Sequence, residues 1–203
     1  MVPRASLLVA RYDGHALGSY KQSRILVVGG SDGSKYIESC EEYSIGEDKF
    51  VARSNMNSVR YMPALAILKT WAYCFGGYNG SAYIDTVERM DMEAPEKGWK
   101  LMDFKNSAGF PKNYFLNSFP ISETEIVILG RYAESYLFQT ANENQPEMIK
   151  GQVLQNYDCS GFYHTTSPVR KEGKLFFFSY NRKMYVYEIK EKAWRLKDFA
   201  SWK

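Results

Sequence analysis

The sequence predicts an all-β chain assembled from about four copies of one structural unit. Three observations predict it: short apolar runs return at nearly constant intervals, glycine doublets close the first two runs, and aromatic residues make up 16% of the chain, mostly Tyr and Phe. Aromatic and β-branched side chains fit a pleated, half-buried surface. No stretch sustains a 3.6-residue apolar period, and Gly or Pro interrupts the chain too often for long helices. A length of 203 residues suffices for one well-packed domain, taken as 1–203.

The four runs are Ile25-Leu26-Val27-Val28, Ala72-Tyr73-Cys74-Phe75, Ile126-Val127-Ile128 and Leu175-Phe176-Phe177-Phe178. With Val28, Phe75, Ile128 and Phe178 as equivalent positions, the intervals are 47, 53 and 50 residues. Gly29-Gly30-Ser31-Asp32-Gly33 follows the first run and Gly76-Gly77-Tyr78-Asn79-Gly80 the second. Glycine suits a strand end where the chain turns tightly, and Asp-Gly and Asn-Gly are turn dipeptides. Fifteen residues after Val28 stands Tyr43, and fifteen after Phe75 stands Met90, within Val87-Glu88-Arg89-Met90-Asp91. A later aromatic, Phe50 or Trp99, and an earlier Arg-Tyr pair, Arg11-Tyr12 or Arg60-Tyr61, complete each of these two units. In the fourth unit, Lys174 to Phe178 and Met184 to Ile189 read as a hairpin with Asn181 in its turn.

This order of residues resembles the kelch repeat: an Arg-led loop, an apolar strand closed by Gly-Gly, a strand carrying Glu, then a Trp. The second unit matches best through Gly76, Gly77, Val87, Glu88, Asp91 and Trp99. In the first, Phe50 stands for Trp; the third keeps only Gly130 of the doublet; the fourth keeps Trp194 but has Ser179-Tyr180 for the glycines. The period near 50 agrees with that family. The resemblance implies a kelch-type β-propeller or partial propeller of about four four-stranded antiparallel blades, with units near 10–56, 57–102, 103–149 and 150–200, and with residues 1–9 supplying a strand that closes the last blade. Trp99, Trp194 and Phe50 are then expected between blades. A blade cannot cover both of its own faces, so neighbours must. Four blades either close a small ring or form an arc, and an arc needs closure, a second chain, or a longer parent or larger complex to cover its end faces.

We name the strands of each unit a to d. The b–c loops and the segments leading into strand a are expected on one side of the molecule. They carry Arg11, Tyr12, Asp32, Arg60, Tyr61, Tyr78, Asn79, Tyr83, Arg131, Tyr132 and Asn181. Tyr and Arg combine contact area with directional hydrogen bonds and are favoured at interfaces. The resemblance implies a bound peptide on this side, with Arg11 and Arg60 placed to meet acidic side chains and Asn79 to bond peptide backbone. The alternative for each Arg is a structural pairing with a carboxylate or loop carbonyl.

The remaining signals point away from catalysis. His15 and His164 are the two histidines, without another metal ligand at useful spacing, and Gly29-Gly30-Ser31-Asp32-Gly33 lacks the helix that would make it a phosphate cradle. Neither a cofactor nor a catalytic residue is expected; the competing reading is a sialidase- or isomerase-like propeller enzyme using the Arg/Tyr-rich loops. The net charge of +3 is small and scattered, which argues against nucleic acid. No apolar run reaches about 18 residues, so no membrane span is expected. Cys40, Cys74 and Cys159 are odd in number and far apart, which fits a reducing, cytoplasmic setting better than a disulfide framework. A protein-binding module, acting as adaptor, cytoskeletal partner or subunit of a complex, is the expected role.

Overall fold

A computed structural model describes residues 4–106, 110, 117–130, 134–142, 145–153, 168–178 and 183–198. Among the described residues, sixteen strands form four antiparallel sheets of four, each sheet taking its strands in chain order. Sheet one holds β1 (Asp13–Tyr20), β2 (Arg24–Ser31), β3 (Cys40–Ser44) and β4 (Lys49–Arg53). Sheet two holds β5 (Ala64–Leu68), β6 (Trp71–Phe75), β7 (Val87–Asp91) and β8 (Lys100–Leu101). Sheet three holds β9 (Asn117–Pro120), β10 (Glu125–Leu129), β11 (Glu134–Gln139) and β12 (Glu147–Val153). Sheet four holds β13 (Val169–Lys171), β14 (Lys174–Phe178), β15 (Lys183–Glu188) and β16 (Ala193–Asp198). The only helix among the described residues is one 3-10 turn, Pro95–Lys97.

The four apolar runs are the second strands, β2, β6, β10 and β14. Their neighbours on both sides come from the same unit, which leaves each sheet with two flat faces to cover. Three apolar clusters cover them in turn. Leu26, Val28 and Cys40 of sheet one meet Leu65, Ala72, Cys74 and Met90 of sheet two. Phe75 and Val87 of sheet two meet Ile126, Ile128, Tyr136 and Phe138 of sheet three. Val127, Leu129 and Leu137 of sheet three meet Leu175, Phe177, Tyr185 and Tyr187 of sheet four. The sheets therefore stack in sequence, and among the described residues no cluster joins sheet four back to sheet one. Gly18 lets β1 and β5 come close, since a Cβ there would lie 3.0 Å from Ile67 Cγ1.

Facing corrects the repeat alignment. Val28 and Phe75 both point to the following sheet, whereas Ile128 points to the preceding one. Leu129, which is followed by Gly130 and faces sheet four, is the true counterpart. A slip of one residue turns a strand's side chains to the other face, so the apolar run alone did not set the register.

Of the aromatics expected between blades, Trp99 is buried between sheets one and two, and Trp194 packs against the cluster between sheets three and four. Phe50 instead lies beside Tyr43, ring centroids 4.8 Å apart. That pair shares the face of sheet one turned away from sheet two, as the β2–β3–β4 register shows.

The expectation of a closing strand from residues 1–9 is also corrected in its described part. Sheet four draws its fourth strand from Ala193–Asp198. Residues 4–12 belong to no strand and lie against sheet one. The Ala5 N–H donates to Asp48 Oδ1 at 3.2 Å, and the N–H groups of Leu8 and Val9 donate to the Glu41 carboxylate at 2.5 and 3.1 Å. The Tyr43 hydroxyl also donates to Asp48 Oδ1, at 2.6 Å. These hydrogen bonds, Tyr43 first and Ala5 second, hold the Asp48 carboxyl below its ordinary value. A depressed carboxylate anchors at pH above the ordinary Asp range and lets go as pH falls through the lowered value. The protection of the Ala5 amide, its exchange measured against the unstructured rate at the same pH, is therefore expected to fall in acid, below the ordinary Asp range, and in Asp48→Asn at neutral pH; exchange mass spectrometry of the first peptide checks both.

The first glycine doublet anchors the chain leading into sheet two. Gly29 has φ +63°, and a Cβ on it would fall 2.3 Å from the Arg60 carbonyl oxygen. The Gly30 N–H donates to that same oxygen at 2.9 Å. Strain and collision act together in Gly29→Ala, whereas Gly33→Ala, at φ +94° with open space around it, carries strain alone. The expected losses are about 1–2 kcal/mol for Gly33→Ala and clearly more for Gly29→Ala, read from urea midpoints.

Candidate functional site

The b–c loops of sheets one and two are built alike. Asp32 Oδ1 accepts the N–H groups of Ser34 and Lys35 at 2.8 and 2.9 Å, and Asn79 Oδ1 accepts those of Ser81 and Ala82 at 2.9 and 2.8 Å. Such side-chain to backbone bonds preset a turn. The bonds from Lys35 and Ser34 hold the Asp32 carboxyl below its ordinary value. Asp32 and Asn79 thus shape their own loops with their oxygens. Asn79 remains exposed, and its side-chain N–H groups donate to no described residue.

Each lead-in segment is pinned beside these loops. The Tyr12 N–H donates to the Ser31 carbonyl at 2.7 Å, and Tyr61 and Tyr78 exchange backbone bonds of 2.8 and 2.9 Å. This brings four tyrosines together across the first sheet junction. The Tyr36 ring lies 4.5 Å from Tyr61 and 5.7 Å from Tyr78, and the Tyr78 ring 5.2 Å from Tyr83, between centroids. Tyr36, Tyr61 and Tyr78 are half-buried and Tyr83 is 42% exposed. The result is a rigid aromatic shelf flanked by the polar tips of two loops, with Tyr12 fully in solvent at its first-sheet side. Tyr36 was not among the residues expected here. It stands 47 residues before Tyr83, at the same place in the repeat, and that interval is the signal that would have found it.

The two arginines behave otherwise, and the expectation that they bind a partner's acidic groups is corrected. The Arg60 side chain is 0% exposed. Its Nε and Nη2 donate to Glu88 Oε1 at 3.0 and 2.8 Å, Nη1 donates to the carbonyls of Gly76 and Thr86 at 2.6 and 3.2 Å, and Nη2 also donates to Thr86 Oγ1 at 2.8 Å. Arg11 repeats the arrangement one unit earlier. Its Nη1 donates to the carbonyls of Gly29 and Ser39 at 2.7 and 3.0 Å, and Nη2 donates to Ser39 Oγ and Glu41 Oε1 at 3.1 and 2.8 Å. The second carboxylate oxygen of Glu88 accepts the backbone and side-chain N–H groups of Asn57, both at 2.7 Å. Both arginines are internal clamps that tie the lead-in segment to strands b and c, with no surface left for a ligand.

Arg131, Tyr132 and Asn181 lie outside the described residues, as do His164 and Cys159. The remaining thiols are buried in the first junction: Cys40 is raised by burial, and burial pushes Cys74 up to about 12. Neither is poised as a thiolate nucleophile. Among the described residues, no three His, Cys, Asp or Glu gather where a cation would sit, and no helix is long and apolar enough to cross a membrane.

No family model matches the chain, and no curated protein matches it as a relative.

Removing one partner of a buried ion pair strands the other charge. Arg60→Ala is expected to cost about 3–5 kcal/mol of stability, while replacing both partners by Arg60→Met with Glu88→Leu costs less. Denaturant titration of both variants checks the clamp assignment; a ligand-binding role would leave the midpoints near the parent value.

Proposed function

We propose that this chain is a non-catalytic protein-interaction module of kelch β-propeller type, which holds an extended segment of a partner protein on the loop side of its first two sheets. The single observation that carries the reading is the tyrosine shelf spanning the first junction. Tyr supplies large, rigid contact area with a polar tip at small entropic cost, the combination favoured in interface anchors. The shelf is tied by isolated backbone bridges, Ser31 to Tyr36, Tyr61 to Tyr78 and Tyr78 to Tyr83, with loops preset by Asp32 and Asn79, so little ordering remains to oppose binding.

The propeller reading is supported by four chain-ordered, four-stranded sheets stacked in sequence and by glycine doublets at matching strand ends. The Arg–Glu clamps repeat at matching positions as well. With Arg11 and Arg60 inside the fold, an acidic partner loses its two expected cationic contacts. Aromatic packing and hydrogen bonding through Asn79 are what the shelf can provide. The burial of the same arginines also takes two members from the arginine cluster that a sialidase-like site would need.

The test is selection of binding peptides from a random library displayed against the whole chain, followed by titration of the best binder. Tyr83→Ser is expected to weaken that binder about 30-fold or more, as loss of an interface anchor does, and to leave the melting temperature close to the parent's. Failure to select any binder, or a binder insensitive to Tyr83→Ser and Asn79→Ala alike, would sink the reading.

A further inference from the structure

We propose that the outer face of sheet one, the side turned away from sheet two, is a docking surface for the fourth sheet of a second copy of this chain. This concerns the flat side of a sheet and stands apart from the peptide reading of the loop side.

Each internal junction joins the forward face of one sheet to the backward face of the next. The backward face of sheet two shows what such a covered face contains. The Arg60–Glu88 clamp is braced by Asn57, Leu65 is 6% exposed against sheet one, and Tyr61 lies against Tyr36 of the preceding b–c loop. The backward face of sheet one carries the same parts at the same repeat positions. Arg11–Glu41 stands for Arg60–Glu88, and the N–H groups of Leu8 and Val9 brace Glu41 as Asn57 braces Glu88. In strand a, Leu17 pairs with Val27 as Leu65 pairs with Cys74. Tyr12 bonds Ser31 as Tyr61 bonds Tyr78. Only the cover differs: Leu17 is 56% exposed and Tyr12 85% exposed. Of these matched faces one has a sheet packed on it, and the other leaves Leu17 and Tyr12 in solvent; the first shows what the second accepts, the forward face of another four-stranded sheet of this kind.

Among the described residues, the forward face without a following sheet is that of sheet four. Val169, Phe176 and Val186 share it by register, with Met184 on the same side. Val169 is 56% exposed, and Phe176 and Met184 are half-buried. Val27 and Val186, at the centres of the two faces, are already shielded by their surroundings. Seating sheet four of one copy on sheet one of another continues the stacking order that the chain uses three times internally. The contact joins unlike surfaces, and made reciprocally by two copies it closes on itself. The closed pair holds eight sheets, the upper end of the range of about four to eight over which such rings form.

Sedimentation velocity of the whole chain over a concentration series tests this. The expected result is a mass that rises to twice the single-chain value, and that stays at the single-chain value in both Leu17→Arg and Val169→Arg. Both substitutions fall on exposed side chains, and circular dichroism confirms that the variants fold. A chain that remains single at every concentration overturns the proposal. So does association that persists in Leu17→Arg, which places the contact elsewhere, or that persists in Val169→Arg alone, which removes sheet four as the occupant. Tyr83→Ser leaves this association intact, which separates it from peptide binding on the loop side.

Discussion

Two ion pairs withdrawn from water, Arg11–Glu41 and Arg60–Glu88, hold the first half of the molecule in register. Each guanidinium reaches from the segment before strand a, past the end of strand b, to the start of strand c, and it satisfies two backbone carbonyls on the way. A buried charge is tolerated only when it is paired and hydrogen-bonded. The segment before strand a therefore has one seat, and the b–c loop beside it has one height. The tyrosine shelf is a consequence. Tyr61 follows Arg60 directly, so seating the arginine delivers the ring to Tyr36.

Among the described residues, sheets three and four solve the same packing problem without a buried ion pair. The strand-c position that holds Glu41 and Glu88 is occupied by Tyr136 and Tyr185, paired with Ile128 and Phe177 across the ladder. Both tyrosines are buried against the preceding sheet. Burial, with the Glu134 carboxylate second, pushes the Tyr136 hydroxyl above its ordinary value, so it stays protonated and donates to Glu134 Oε2 at 3.2 Å. Junctions two and three are accordingly aromatic. Phe138 meets Phe75 and Tyr73 edge to face in one, and Phe119, Phe177 and Trp194 gather in the other. Polar clamps demand a fixed geometry, whereas aromatic packing accepts several residues of similar volume. That difference accounts for the erosion of the repeat signature in the second half of the chain while its four-stranded plan persists.

Much of the candidate site was legible because it repeats. Asp32 and Asn79 follow their glycine doublets at one spacing, and both make the turn that their residue types favour. Arg11 and Arg60 were visible as a recurring pair, yet their direction was not. An arginine beside a loop can face solvent or a buried carboxylate, and only the height of Glu41 and Glu88 within the sheets separates the two. Tyr36 was overlooked because it lies at the far end of its loop, outside the Gly-Gly signature. Ile128 was misaligned because a run of consecutive apolar residues carries no period with which to tell one face from the other.

Local chemistry that recurs along the chain, namely strand-forming runs, glycine turns and loop-capping side chains, was determined by the sequence by itself: an all-β chain with four strands to each unit. What only the tertiary structure decided is which side of each strand meets which neighbour. That choice depends on contacts between residues some fifty positions apart, where a one-residue shift exchanges buried and exposed faces. It turned two expected ligand-binding arginines into internal clamps, carried the N-terminal segment onto sheet one, and left Leu17 in solvent where its counterpart Leu65 is buried.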